Sequence, residues 1–365
     1  MKISIGSRLV DGPWGGGNLF VRNLTRVLIQ NGHEVVYNLE HKDIDGILLT
    51  DPRGRQESLS SFNHKDIERY LDLVNPNAIV VQRINECDER KGTTGINNLY
   101  LEASEIANKV VFVSEWLRNI YLENGMDKEK TSVILAGADR TIFNNENTNY
   151  KIDKSKKIKL VTHHWSDNWN KGFDIYKRID DSINNNYFEY DLEFSYIGNI
   201  SNNIKFKNTK VIKPLAGKDL ADELKTNHIY ITGSLNEPSG NHHIEAAQCG
   251  LPILYRNSGG IPEYCTGYGL DFENDFFEKL RVLIENYEIY VKKVQSYPND
   301  ADEMSMKFLS IFENNFTKLE TITISNDDNL KYYKFKLNYK IKEFLQMSKV
   351  IKGLRIIFSK LLRER

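Results

Sequence analysis

Short apolar segments alternate with helix-like segments along this chain of 365 residues, and the alternation occurs twice. In the first half, apolar runs begin near Lys2, Glu34, Ala78, Val110 and Ser132. Successive parallel strands need a long crossover between them, and that crossover is usually a helix. The first 150 residues therefore predict an α/β domain with a doubly wound parallel sheet.

A polar stretch rich in Asn and Lys, residues 144–157, separates the two series and is typical of a connection between domains. The alternation then resumes with apolar runs in KIKLVTHH, YDLEFSYIG, TKVIKP and HIYITG. We predict an N-terminal domain of residues 1–150 and a similar C-terminal domain of residues 151–325. Ligands of such sheets bind at the carboxyl ends of the strands, which predicts a site in the cleft between the domains.

Composition excludes several classes of protein. The formal net charge of -1 gives the molecule no field that would attract nucleic acid. Cys87, Cys249 and Cys265 lie far apart without the spacing of metal ligands, and the acidic pair in residues 43–45 precedes a strand, as a surface turn does. We predict neither a metal nor a cofactor. No signal peptide and no long apolar run is found, which predicts a cytoplasmic protein.

Two carboxylates occur eight residues apart where the run HIYITG gives way to a helix predicted to begin near Asn241. Glu237 lies in the loop and Glu245 in the first turns of the helix, so both can face one pocket. Free N–H groups of Ser239, Gly240 and Asn241, with the helix dipole, suit a diphosphate, whereas carboxylates suit sugar hydroxyls. These residue types predict a nucleotide-sugar site.

Each acid alone is more typical of an ordinary turn or a solvated helix. Taken jointly, the segment resembles the Glu-x7-Glu signature of family 4 glycosyltransferases. The matching positions are Glu237, Gly240, Glu245, Ala246, Gly250, Pro252, Gly259, Gly260 and Glu263. The segments NKGFD, AGADRTIFN and GGGN resemble other motifs of the family, so the resemblance extends to about residue 320. The Gly259-Gly260 loop is predicted to approach the ligand closely because it has no Cβ.

This resemblance implies a GT-B fold of two Rossmann-like domains, with the acceptor on the first and a UDP- or GDP-sugar on the second. It implies that Glu245 holds the ribose hydroxyls, that Glu237 contacts the donor sugar, and that Lys171 neutralises the diphosphate leaving group. Transfer is then retaining and independent of metal. His164, at a strand end on the donor side, is a further candidate for phosphate binding.

Other functions fit parts of the pattern. A sugar-nucleotide epimerase or phosphorylase shares this architecture, and a non-catalytic nucleotide-sugar-binding protein would keep the pocket. A dinucleotide-dependent oxidoreductase is disfavoured, because the first strand is not followed by G-x-G-x-x-G.

One departure from the family concerns the second cation of the diphosphate site. The family carries an Arg five residues before its Lys, and Ser166 stands at that position here. His163, His164 and Arg83 are the candidates to replace it.

The N-terminal domain is predicted to contribute a phosphate or acceptor loop and a loop after the strand near Ala78. Glycine at the first loop lets a ligand approach the backbone, and the second loop follows a buried strand at the cleft. The candidate residues are Gly15, Gly16, Gly17, Asn18, Arg83 and Asn85.

Residues 326–365 differ from the rest of the chain because they are rich in Lys and Arg, with apolar residues at intervals of three and four. This pattern predicts a basic amphipathic helix. Two interpretations stay open. In the first, residues 331–365 bind an anionic membrane surface. This suits a lipid-linked or glycan acceptor and a peripheral location on the inner face of the plasma membrane. In the second, the helix packs on the N-terminal domain.

Overall fold

The computed structural model describes residues 1–12, 15–54, 58–148, 150–185, 188–316 and 329–342. Within them the chain forms two parallel sheets flanked by helices. The predicted tail beyond residue 342 lies outside the described residues.

The first sheet is built from six strands. These strands are β1 (Lys2–Ile5), β2 (Glu34–Val36), β3 (Gly46–Leu49), β4 (Ile79–Ile84), β5 (Lys109–Phe112) and β6 (Thr131–Val133). The helices between them are α1 (Gly15–Gln30), α2 (His64–Leu73), α3 (Asp88–Lys91), α4 (Ile96–Ser104) and α5 (Glu115–Glu123). The strand order is β2-β1-β3-β4-β5-β6, with every pair parallel.

The second sheet repeats this design. Its strands are β7 (Ile158–His164), β8 (Leu192–Gly198), β9 (Lys210–Ile212), β10 (Ile229–Thr232), β11 (Ile253–Arg256) and β12 (Gly269–Phe272). Its helices are α6 (Phe173–Ser182), α7 (Gly217–Lys225), α8 (Asn241–Gln248), α9 (Ile261–Cys265), α10 (Phe276–Glu285) and α11 (Tyr287–Val294). The order is β12-β11-β10-β7-β8-β9, again parallel throughout.

Both sheets have the doubly wound α/β architecture that the sequence predicts. The central strands read as continuous apolar runs because helices cover both faces. Every residue of β4 and β10 is buried, for example. The fold class expected from the alternation is therefore confirmed.

The helix α12 (Ala301–Asn315) returns to the first half of the chain. Phe308 packs edge-on against Phe20 of α1, with ring centroids 5.1 Å apart, and Asp302 pairs with Arg26. This helix thus packs on the N-terminal sheet layer, although the predicted C-terminal domain includes it. The domain bounds themselves stay a prediction.

A helix at residues 329–342 packs on the N-terminal domain. Tyr332, Phe335 and Tyr339 are buried there, and Phe335 contacts the ring of Tyr70 at a centroid distance of 5.7 Å. The described part of the tail therefore follows the packing interpretation. Within the described residues, no helix is both long enough and apolar enough to cross a bilayer.

Candidate active site

Lys171 and Glu237 are brought together by two loops at the carboxyl ends of β7 and β10. Residues 169–171 form a 3-10 turn that ends at Gly172, where φ is 101°. A Cβ on Gly172 would lie 2.5 Å from the backbone of Gly233, so a larger residue would separate the loops. The N–H of Leu235 also donates to the carbonyl of Asn170 at 2.7 Å. These close contacts fix the distance between the lysine and the acid.

The carboxylate of Glu237 is buried between two cations. Its Oε2 pairs with the Lys171 ammonium, and its Oε1 lies 3.3 Å from Nη2 of Arg90. Burial alone would raise the pKa of this acid, but the charges of Arg90 and Lys171 lower the pKa of Glu237 to about 2. Burial, conversely, lowers the pKa of Lys171. At neutral pH Glu237 is thus an ionised carboxylate, held between the side chains of Lys171 and Arg90.

Glu245 lies on α8, which begins at Asn241 as the sequence predicts. The Glu245 carboxylate is buried, and its Oε2 lies 2.9 Å from Nε2 of His163. An ionised carboxylate only accepts hydrogen bonds, so His163 donates from Nε2, and its Nδ1 accepts from the Tyr230 hydroxyl at 3.2 Å. This chain of contacts orients Glu245 beside the first turn of α8.

The Gly259-Gly260 loop packs against the backbone of Glu237. A Cβ on Gly259 would lie 2.6 Å from both N and O of Glu237, and the N–H of Gly260 donates to the Glu237 carbonyl at 2.9 Å. The prediction that this loop also approaches the ligand stays a prediction. The two glycines let the chain pack against the backbone of the acid.

The predicted first loop meets α8 across the cleft. A Cβ on Gly16 would lie 2.7 Å from Oδ1 of Asn241, so the N-termini of α1 and α8 approach each other closely. Gly17 has open space around its Cα, and Gly15 adopts a φ of 57°. Asn18 is buried, and its amide donates to the Val10 carbonyl at 2.7 Å and accepts from the Val10 N–H at 3.1 Å. That amide therefore shapes the loop.

Asn85 lies in the predicted loop after the strand, but Arg83 does not. Arg83 lies within β4, not in the loop that follows it, and it is 5% exposed. Its guanidinium stacks 4.1 Å above the ring centroid of Phe20, and burial lowers its pKa to about 10. Asn85 follows the strand directly and is half-buried.

Arg90 on α3 was not among the predicted site residues, yet it reaches Glu237. Its other contacts are with the buried carboxylate of Glu86, at 3.3 Å from Nη1. Although burial disfavours the charged guanidinium, Glu237 and Glu86 raise the pKa of Arg90. The sequence marks residues 82–92 as a charged loop at the cleft, but nothing local distinguishes Arg90 from its charged neighbours.

Backbone contacts hold α3 against the opposite domain. Asn170 donates its amide to the carbonyl of Arg90 at 3.2 Å, and Asn236 donates to that of Glu89 at 3.2 Å. At a second junction, the carboxylate of Glu263 accepts from the N–H groups of Glu115 and Trp116 at 2.7 and 2.8 Å, which caps α5. The two domains are thus joined on both sides of the candidate site.

His164 and His242 are buried near the site, and burial holds the pKa of each well below its usual range. His164 bonds the Tyr176 hydroxyl at 2.7 Å. His242 bonds the hydroxyl of Thr232 at 2.9 Å. His164 is close enough to Glu237 for the two groups to affect each other's pKa. Among the described residues, no three His, Cys, Asp or Glu side chains gather as metal ligands.

Solved structures that share this fold include glycosyltransferases. The structure of the Anabaena protein HepE in complex with UDP and glucose matches with a TM-score of 0.63 and 14% identity, covering 86% of this chain and 100% of that one. Sucrose-phosphate synthase from Thermosynechococcus elongatus matches with a TM-score of 0.61 and 13% identity, covering 86% and 99%. The chain therefore has the GT-B fold, as the resemblance implied.

Residues 196–304 match the model of the family described as Glycosyl transferases group 1. A segment of 120 residues is 28% identical to the gpi3 subunit of phosphatidylinositol N-acetylglucosaminyltransferase from Schizosaccharomyces pombe. That segment is 31% of this chain and 26% of the relative, so the chain aligns with about a quarter of the relative's length. The family match includes both Glu237 and Glu245.

Proposed function

We propose that this protein is a glycosyltransferase that moves a sugar from a nucleotide sugar to a glycan or a lipid-linked acceptor. The observation that carries the proposal is the buried Glu237 carboxylate, held between Lys171 and Arg90 beside the N-terminus of α8. Support also comes from the group 1 family match and from the UDP and UDP-glucose in complexes of similarly folded proteins.

In this proposal each residue contributes to a different part of the donor. The ribose hydroxyls bind the carboxylate of Glu245, and the donor sugar binds Glu237. The diphosphate takes the N–H groups of Ser239 to Asn241 and the ammonium of Lys171. The first α1 turn, with Gly15 to Gly17, contacts the phosphate or the acceptor from the opposite domain.

We further propose that transfer is retaining and independent of metal. The leaving diphosphate needs its developing charge stabilised, and fixed cations with a helix N-terminus provide that stabilisation without a metal. Arg83 and Asn85 are proposed to bind the acceptor, since they stand at the N-terminal side of the cleft.

Mass spectrometry of reactions with separate UDP-, GDP- and ADP-sugars tests this function. The expected products with one donor are a free nucleoside diphosphate and a sugar transferred to an added glycan or lipid acceptor, or to water when no acceptor is added. Isomerised donor without release of the nucleoside diphosphate would instead indicate an epimerase. Binding of every donor without turnover would contradict the enzymatic proposal.

We propose, in addition, that the helix at residues 329–342 lies on an anionic membrane. Its docked face carries the three buried aromatic rings, and the opposite face exposes Leu330, Tyr333, Leu337 and Ile341, with Leu337 62% exposed. Exposed lysines lie between these residues, and each contributes on the order of 1 kcal/mol at an anionic surface. Such a position would bring the cleft to a lipid-linked acceptor.

Liposome flotation of Leu337→Gln tests the membrane proposal without disturbing the docked face. Flotation with vesicles containing one third phosphatidylserine is expected to fall, while Ile29→Gln, at a side chain 58% exposed on α1, floats like the wild type. Equal flotation of all three proteins would contradict the proposed contact.

A further inference from the structure

The second cation of the diphosphate site has no source at its usual position. Ser166 stands where the resemblance expects arginine, and its hydroxyl accepts a hydrogen bond from the N–H of Asn168 at 3.2 Å. A departing diphosphate develops more charge than one ammonium offsets in a buried site, so a further positive group is expected close to Lys171.

Arg90 lies where that group is needed. It binds one oxygen of the Glu237 carboxylate while Lys171 binds the other, so both cations adjoin the same buried acid. Glu86 binds the guanidinium at its other Nη atom, at 3.3 Å from Nη1.

The hydrogen bonding of Arg90 leaves a donor for a ligand. Glu86 and Glu237 engage the two Nη atoms, but the buried Nε of Arg90 lacks a hydrogen-bond partner within the described part of the chain. An unpaired buried donor is costly, so in a native structure such a group calls for an explanation, for example a catalytic role or a water or ion that binds there. Glu86 also fixes the guanidinium from the side away from Glu237.

We propose that Arg90 supplies the second cation to the leaving diphosphate, and that it does so from the N-terminal domain. This inference rests on the proposed function. When the bond between the anomeric carbon and the diphosphate oxygen breaks, its electron pair passes to that oxygen. The acceptor hydroxyl oxygen forms the new bond to the anomeric carbon, and its proton passes to the released diphosphate. Arg90 and Lys171 stabilise the negative charge that this step creates.

The two cations of the proposed leaving-group site come from different domains. Because α3 belongs to the first sheet and Lys171 to the second, the leaving-group site is complete only while the domains are joined at α3. The contacts of Asn170 and Asn236 with the α3 backbone keep the guanidinium at that position.

Isothermal titration of Arg90→Gln with UDP, UMP, GDP and GMP tests the proposal. Losing a charge-assisted hydrogen bond is expected to weaken diphosphate binding about 10- to 100-fold, while the affinity for the monophosphates changes little. The matched control is Lys91→Gln, because Lys91 shares the partner Glu86 but does not contact Glu237; it is expected to bind like the wild type. Arg90→Lys keeps the charge and should fall between the two.

A rescue variant separates leaving-group stabilisation from simple support of the fold. Adding Ser166→Arg to Arg90→Gln returns a cation to the C-terminal side. The double variant is expected to bind UDP or GDP at least tenfold more tightly than Arg90→Gln and to recover turnover. A double variant as weak as Arg90→Gln would contradict the assignment, as would equal losses for mono- and diphosphates. If the wild type binds none of the four nucleotides, the proposed function itself fails; if it binds and Arg90→Gln matches it, only the role of Arg90 fails.

Discussion

The two sides of the cleft are built differently. On the C-terminal side, Glu237, Glu245 and Lys171 lie in loops and a helix whose backbones are locked together by glycine contacts. On the N-terminal side, one short helix, α3, carries Arg90 to the site and is held by two amide contacts. The difference indicates that the proposed donor side is formed within one domain, whereas the charges around Glu237 depend on the contact between domains.

The largest effect is expected from substituting Glu237, which contacts Lys171 on the C-terminal side and Arg90 on the N-terminal side. Glu237→Gln removes the negative charge between Lys171 and Arg90, and turnover is expected to fall about 100- to 1000-fold. Steady-state kinetics would measure this loss. Glu115→Gln is the control, because that carboxylate is exposed and pairs at the surface with Arg118. If Glu237→Gln turned over as fast as the wild type, Glu237 would have no role in the mechanism.

A smaller effect is expected on the C-terminal side alone. Glu245→Ala removes the carboxylate that His163 orients, so the KM for the nucleotide sugar should rise about 10- to 100-fold, while kcat changes only a few-fold because this contact serves binding more than the transition state. Glu278→Ala, an exposed acid in the first turn of α10, provides the comparison. An unchanged KM would show that the ribose binds elsewhere.

The burial of His243 on the C-terminal side is expected to make the free energy of unfolding depend on pH. Burial lowers the pKa of His243 to about 3, and its Nε2 has no hydrogen-bond partner in the described structure. Below pH 6.5 the unfolded chain binds a proton that the folded chain excludes, so stability is lost as the pH falls towards 3. His243→Leu should reduce this slope by up to about 1.4 kcal/mol per pH unit. Urea unfolding from pH 7 to 5 would measure it, and parallel slopes would contradict the assignment.

The smallest effect concerns the other junction between the domains. Glu263→Ala leaves the N-terminus of α5 without its carboxylate cap, which is expected to cost about 1 kcal/mol of unfolding free energy. Glu263→Gln retains one acceptor oxygen and should cost less. Denaturant unfolding would rank the free energies of unfolding of the two variants and the wild type. Identical values for all three would mean that the Glu263 contact with α5 does not stabilise the protein.

Glu237 and Glu245 could be predicted as a pair because they are close along the chain, on the two sides of one loop-to-helix transition. Lys171 lies 66 residues from Glu237 along the chain, so only the family resemblance indicated it. Arg90 could not be identified in this way, since its contact with Glu237 joins two domains and charged residues in a loop usually face solvent. The close packing of Gly259 on the Glu237 backbone was not predicted either, because it joins two loops that the sequence does not place against each other.

Burial decided the remaining differences. Arg83 was expected in the charged loop after the predicted strand near Ala78, yet it lies within β4 and its guanidinium stacks on Phe20. The fold was predictable as a whole because strand and helix patterns are local and repeat twice. The packing of α12 on α1 was not, because an amphipathic helix does not specify which sheet layer it will cover.

A crystal structure with the nucleoside diphosphate of the preferred donor tests the central claim most directly. The predicted result has the diphosphate at the N-terminus of α8, in contact with both Lys171 and Arg90, and the ribose hydroxyls at Glu245. A nucleotide bound with its diphosphate away from Lys171, or its ribose away from Glu245, would contradict the account.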